Sequence, residues 1–190
     1  GNFLRGFADY FIDSLNKQEL YDGKIVIISP TDSKMVEKIN AQKGKYNLIL
    51  RGIEHGEPIS KRTEISSISR AINPYCDYEE YLNLAKNPDL RFIISNTTEA
   101  GISFDDACRL TDKPASSFPG KLTQFMYERY KNGLKGFVIL ACELIDNNGN
   151  ELKNCVLRYA DKWGLESDFI RWIESENSFC NTLVDRIVTG

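Results

Sequence analysis

A chain of 190 residues with 42% hydrophobic and 27% charged residues sits near the averages of globular proteins and can build one ordinary hydrophobic core, which excludes disorder and fibrous repeats. Its 24 basic and 27 acidic residues leave a formal charge of -3 with no Lys/Arg block, so the footprint of a nucleic-acid binder is missing. The longest apolar runs, residues 25–28 and 137–142, fall far short of the ~20 residues that a spanning helix needs, so no membrane partner is expected.

The apolar residues from Phe3 onward recur at 3, 4, 7, 8, 11, 12 and 15, which predicts one amphipathic helix ending near Asn16, with Gly1-Asn2 at its cap. Arg5, Asp9 and Asp13 interrupt that stripe, so it is not a secretory signal. Residues 24–29 read as a buried strand between Gly23 and Pro30, followed by the polar Thr31-Asp32-Ser33. Residues 46–51 and the alternating stretch 59–68 predict two strands joined by a glycine-bearing turn. A short helix over 77–86, capped by Asp77, precedes a strand over 91–96. Residues 103–120 have loop composition, 122–130 carry helical spacing, and 137–142 form another buried strand. Helices over about 150–162 and 166–175 follow, separated by Gly164, and the last residues do not decide between strand and extended loop.

Strands alternating with helices predict an α/β protein with a mainly parallel, doubly wound sheet carrying helices on both faces. Ligands of such sheets lie at the carboxyl ends of the strands, where Thr31-Asp32-Ser33, Asn96-Thr97-Thr98-Glu99 and residues 143–148 would stand.

Each candidate has two readings. Gly1 and Asn2 at a helix start fit either an anion on free backbone N–H groups or a plain N-cap. Asp32 stands where a dinucleotide fold places the acid that accepts from the adenosine ribose hydroxyls and opposes a 2′-phosphate; it equally suits capping of the next helix. Asn96 and Thr97 offer an amide and a hydroxyl beside a cofactor, or form a turn. His55, the single histidine, lies in the predicted hairpin turn without partners at ligand spacing, so no metal is expected. The five dispersed cysteines, none in a CxxC pair, read as packed thiols in a reducing cytoplasm. Gly120-Lys121 lacks the rest of a phosphate loop.

Longer strings carry a resemblance. Gly1-Asn2-Phe3-Leu4-Arg5 resembles the tail of the Gly-x-Gly-x-Phe-x-Arg fingerprint of the polyol-specific long-chain dehydrogenases, the mannitol dehydrogenase family. Leu50-Arg51-Gly52, the stretch from Ser95 to Ser103, Cys142-Glu143-Leu144-Ile145-Asp146 and the stretch from Leu183 to Gly190 resemble members that act on sugar acids, and the similarity runs from the first residue to the last. The resemblance implies a Rossmann-like domain of an NAD-dependent oxidoreductase that interconverts D-altronate and D-tagaturonate by hydride transfer, with fructuronate or a mannitol-type polyol as the alternative substrate. A non-catalytic nucleotide-binding module is the alternative of another class. It places Gly1, Asn2 and Phe3 near the pyrophosphate, Asp32 on the ribose, Asn96 and Thr97 along the crevice, and Asn181 at the reacting carbonyl. Asn181 also suits the simple capping of a turn. The resemblance further implies that residues 1–190 are the cofactor-binding domain without its first strand. A mainly helical domain with a Lys, Asn and His constellation, whose lysine is the general base, would lie beyond Gly190.

Overall fold

The computed structural model describes residues 1–31, 33–98, 100–184 and 188, and the chain divides into two compact units, one of residues 1–76 with Val188 and one of residues 77–184.

The amino-terminal unit opens with α1 (Asn2–Gly6) and α2 (Ala8–Lys17) rather than one continuous helix. The break falls at Phe7, whose φ of -121° and ψ of -77° leave the helical region, although the Phe3, Phe7 and Phe11 rings still follow one another at 5.3 and 4.8 Å. Strand β1 (Ile25–Ile28) is followed by α3 (Ser33–Ala41). The strands β2 (Tyr46–Glu54) and β3 (Glu57–Ile65) form an antiparallel hairpin, closed by His55 and Gly56 at φ of +53° and +85°. Two positive φ values in a two-residue turn match the right-handed twist of the strands, and Gly56 supplies one at no steric cost.

The predicted strand over 59–68 is in fact two elements, because Ser66 and Ser67 turn the chain before β4 (Ile68–Ile72). Strand β4 pairs in parallel with β1, from Ile25 opposite Ile68 to Ile28 opposite Ile72. Val36, Ile39, Ile68 and Ala71 form the buried cluster of this unit, with Ile25, Ile27, Met35 and Tyr46 against it.

The carboxyl-terminal unit begins with α4 (Tyr78–Ala85), where the Asp77 carboxylate accepts from the Glu80 N–H at 2.9 Å as the sequence predicts. Strand β5 (Phe92–Ser95) leads through a long loop to α5 (Phe118–Lys131). That helix starts four residues earlier than its apolar spacing shows, because the Ser117 hydroxyl caps the Gly120 N–H at 3.0 Å and Pro119 sits in the first turn, where a missing N–H costs nothing. Strand β6 (Val138–Ala141), α6 (Asn148–Lys162), α7 (Ser167–Glu176) and β7 (Ser178–Cys180) complete the unit. Gly164 follows α6 at φ +63°, the left-handed position expected of a helix stop.

Strands β5, β6 and β7 pair in parallel with β6 in the middle. Ile139 and Ala141 of β6 are fully buried, as are Phe137, Leu152, Val156, Phe169 and Ile173. Five of the seven strands therefore pair in parallel and alternate with helices, which is a Rossmann-type α/β arrangement in each unit.

Candidate functional site

In the amino-terminal unit, Gly1 is the N-cap that precedes the first turn of α1. Asn2 is exposed, and its Oδ1 accepts from the Arg5 guanidinium. Phe3 is half-buried and stacked on Phe7. These three residues are contiguous at the start of α1, while Asp32 lies outside the described residues. Behind the helix start, a groove of about 720 Å³ runs past Asn2, Arg5, Lys38, Gln42 and Lys45.

In the carboxyl-terminal unit, the exits of the three parallel strands meet in a polar network. Ser95 ends β5 and Ala141 ends β6, and the next residues on each strand turn toward one another. Asn96 Nδ2 donates to the Cys142 carbonyl at 2.6 Å. The Glu143 carboxylate, only 2% exposed, accepts three hydrogen bonds: from Ser95 Oγ at 3.2 Å, from the Thr97 N–H at 3.1 Å and from Thr97 Oγ1 at 3.1 Å. Those donors satisfy a buried carboxylate that would otherwise cost several kcal/mol, of order 3 or more. Asn96 and Thr97 thus brace the β5 exit loop against the β6 exit with the groups just named.

The β7 exit is tied to the start of α6. Asn148, fully buried, donates from Nδ2 to the Glu143 carbonyl at 2.9 Å and the Thr182 carbonyl at 3.0 Å, and its Oδ1 accepts from the Thr182 N–H at 2.9 Å. Thr182 Oγ1 donates to the Ala141 carbonyl at 2.5 Å. Asn181 is exposed, and its Oδ1 accepts from the Asn150 N–H at 3.0 Å. Burial pushes the Cys142 thiol up, and the Glu143 charge adds to the shift against the pull of Thr182. All five cysteines are free thiols.

The structure therefore places Asn96, Thr97 and Asn181 at the strand exits of the carboxyl-terminal unit, and Gly1 at the cap of α1 with Asn2 and Phe3 in its first turn. Sequence reasoning missed Glu143 and Asn148 as the residues that hold the network together. Their signal was present as a polar run directly after a buried strand, but a run of residues does not disclose which side chains turn inward. His55 stands exposed at the hairpin tip.

A parallel sheet whose strand exits carry this polar cluster defines a Rossmann-type dinucleotide-binding class. Residues 1–190 match the family description Mannitol dehydrogenase Rossmann domain, and the chain belongs to that family. Over its whole length it is 50% identical to altronate oxidoreductase of Bacillus subtilis (strain 168) and 48% identical to that of Phocaeicola vulgatus. It spans 40% of the length of each. The fold is shared with the mannitol 2-dehydrogenase of Pseudomonas fluorescens, solved as a ternary complex with NAD and D-mannitol. That likeness has a TM-score of 0.84 at 22% identity and covers 98% of this chain and 40% of the other.

Proposed function

We propose that this chain is the NAD-binding domain of a cytoplasmic oxidoreductase that interconverts D-altronate and D-tagaturonate. What carries the reading is the identity of about half of all residues, across the full chain, to altronate oxidoreductases. The residues fit the cofactor. Asn2 and Phe3 flank the helix start where a pyrophosphate would lie, and Asp32 would accept from the adenosine ribose. Its charge disfavours a 2′-phosphate, so NAD rather than NADP is the partner. Hydride exchange is the chemistry that NAD supplies when bound.

The chain's own residues orient and stabilise. Asn181 donates an N–H to the carbonyl oxygen of the sugar acid, where reduction builds negative charge. Asn96 and Thr97, held by Cys142 and Glu143, set the wall of the crevice. The proton of the substrate hydroxyl goes to a base outside residues 1–190, the lysine of a helical domain. A further strand preceding Gly1 completes the domain along β1: this strand is aliphatic at every position, as a strand buried on both faces requires, yet it pairs with β4 alone among the described residues.

The test is NADH oxidation at 340 nm by the product of the complete reading frame with tagaturonate, fructuronate and fructose. Tagaturonate should give the highest kcat/KM. A preference for fructuronate or fructose would reassign the substrate, and an inactive protein that still binds NADH would leave a nucleotide-binding module. Asp32→Ala should raise the KM for NADH at least about tenfold, the loss of one charge-assisted hydrogen bond.

A further inference from the structure

We propose that the first turn of α6 fixes which end of the Asn181 amide meets the substrate, making the Asn150 backbone N–H and the Asn148 side chain positioning groups of the reaction. The inference rests on the reading of Asn181 as the donor to the carbonyl.

A side-chain amide is nearly symmetric in shape but not in chemistry: its oxygen accepts, and its nitrogen carries two donors. An Asn with no partner presents either end, and an oxygen turned toward a developing oxyanion would repel it. Here a helix N-terminus makes the choice. The Asn150 N–H can only donate, and it stands 3.0 Å from Asn181 Oδ1. The reverse orientation would set two donors against each other. The amide nitrogen is therefore the end left for a ligand, and no described residue takes it. The N–H groups of a helix start also carry partial positive charge, which draws electron density toward Oδ1 and makes the Nδ2 hydrogens better donors.

The rest of that turn locks the position of the backbone beneath. Three consecutive residues of α6 hold the three residues that end and follow β7. Asn148 pairs both backbone groups of Thr182, at 2.9 and 3.0 Å. A Cβ on Gly149 would lie 2.5 Å from the Cys180 carbonyl oxygen and 2.9 Å from the Asn181 nitrogen, so only glycine lets helix and strand exit approach this closely. Asn150 takes the Asn181 side chain. The left-handed Asn147, at φ +53°, turns the chain into this first turn.

Steady-state kinetics of the complete enzyme test the proposal. Asn181→Ala should lower kcat by ~10²–10³, the effect of removing one oxyanion donor. Asn181→Asp keeps an acceptor for the Asn150 N–H but replaces the outward donor with an anion, so its kcat should fall at least as far. Asn150→Pro removes the holding N–H in a helix turn that tolerates proline, and should lower kcat by about tenfold or more while the KM for NADH stays within about twofold. If Asn181→Ala alone is harmless, the reading of Asn181 falls and takes the inference with it. If Asn181→Ala is crippled but Asn181→Asp retains activity, the amide's other end faces the substrate and only the inference falls. A parent-like Asn150→Pro beside a crippled Asn181→Ala likewise overturns the inference alone. Should Asn150→Pro not fold, the Asn181→Asp result decides, since that side chain is exposed.

Discussion

In the carboxyl-terminal unit the Arg129 guanidinium, 2% exposed, donates to the carbonyls of Ala85, Asn87, Leu90 and Lys135 at 2.5 to 3.2 Å and lies over the Phe137 ring. In the amino-terminal unit Asp9, 3% exposed, shares its carboxylate with one hydroxyl, that of Tyr46 at 3.1 Å, and that hydroxyl also reaches the Arg5 carbonyl at 2.5 Å. Tyr46 has one hydrogen for two acceptors. The difference teaches that a buried charge stabilises only where its partners outnumber its unmet needs. Arg129 gathers the loose carbonyls after α4 and α5, whereas burial pushes the Asp9 carboxyl up to about 6 against the pull of Tyr46 and Arg5. Asp13, one turn along α2, falls between: burial alone would raise its carboxyl, but Lys17 at 2.5 Å and the Ser66 N–H at 2.7 Å bring it below the usual range.

Arg129→Leu puts the largest strain on this comparison. It leaves four carbonyls without their donor and should cost about 3–5 kcal/mol, moving the thermal midpoint down by about 6–20 °C. A shift under about 3 °C would show that the carbonyls find other donors. Asp9→Asn should act in the opposite direction. The folded carboxyl titrates near 6 and the unfolded one near 3.8, so the folded state binds more protons between these values and stability falls as pH rises through that window. The charged form costs about 3 kcal/mol by neutral pH. Denaturant melts of the parent should weaken from about pH 4 to about pH 6, and Asp9→Asn should flatten that trend and exceed the parent at about pH 7. Equal slopes in both proteins would remove Asp9 as the cause. Asn148→Ala, which orphans Thr182, should lose roughly 2 kcal/mol by chemical denaturation. Ile53→Ser, on the hairpin where the native side chain is 78% exposed, should change stability by less than about 0.5 kcal/mol. A larger loss would mean that this part of the hairpin is covered in solution.

The legible part of the fold was the part where one period dominates. Residues 24–29, 91–96 and 137–142 read as strands because parallel pairing favours a continuous apolar centre, which residues 25–28, 92–94 and 138–141 supply. Strand β4 stayed hidden because Ile68-Ser69-Arg70-Ala71-Ile72 alternates polarity like the strand before it, and two serines are a weak boundary. The start of α5 was masked by Ser, Pro and Gly, although Ser117 followed by Pro119 is itself a helix-start signature. At the site, position along the chain gave the strand exits but not the direction of side chains. Asn181 was singled out through its neighbours in sequence, and its bond from Asn150, 31 residues away, arises only when β7 and α6 meet. Asp9 interrupts the apolar stripe of the first helices and is nonetheless buried, while Phe11 and Leu15 of that stripe are exposed, so periodicity alone did not find the buried face.

The turn at His55 and Gly56 offers a practical handle. Both residues are exposed, and so are the strand residues on either side, from Arg51 to Lys61. An epitope or a dye-bearing cysteine spliced between His55 and Gly56 would displace no buried side chain, so this tip is the natural port for labelling the domain.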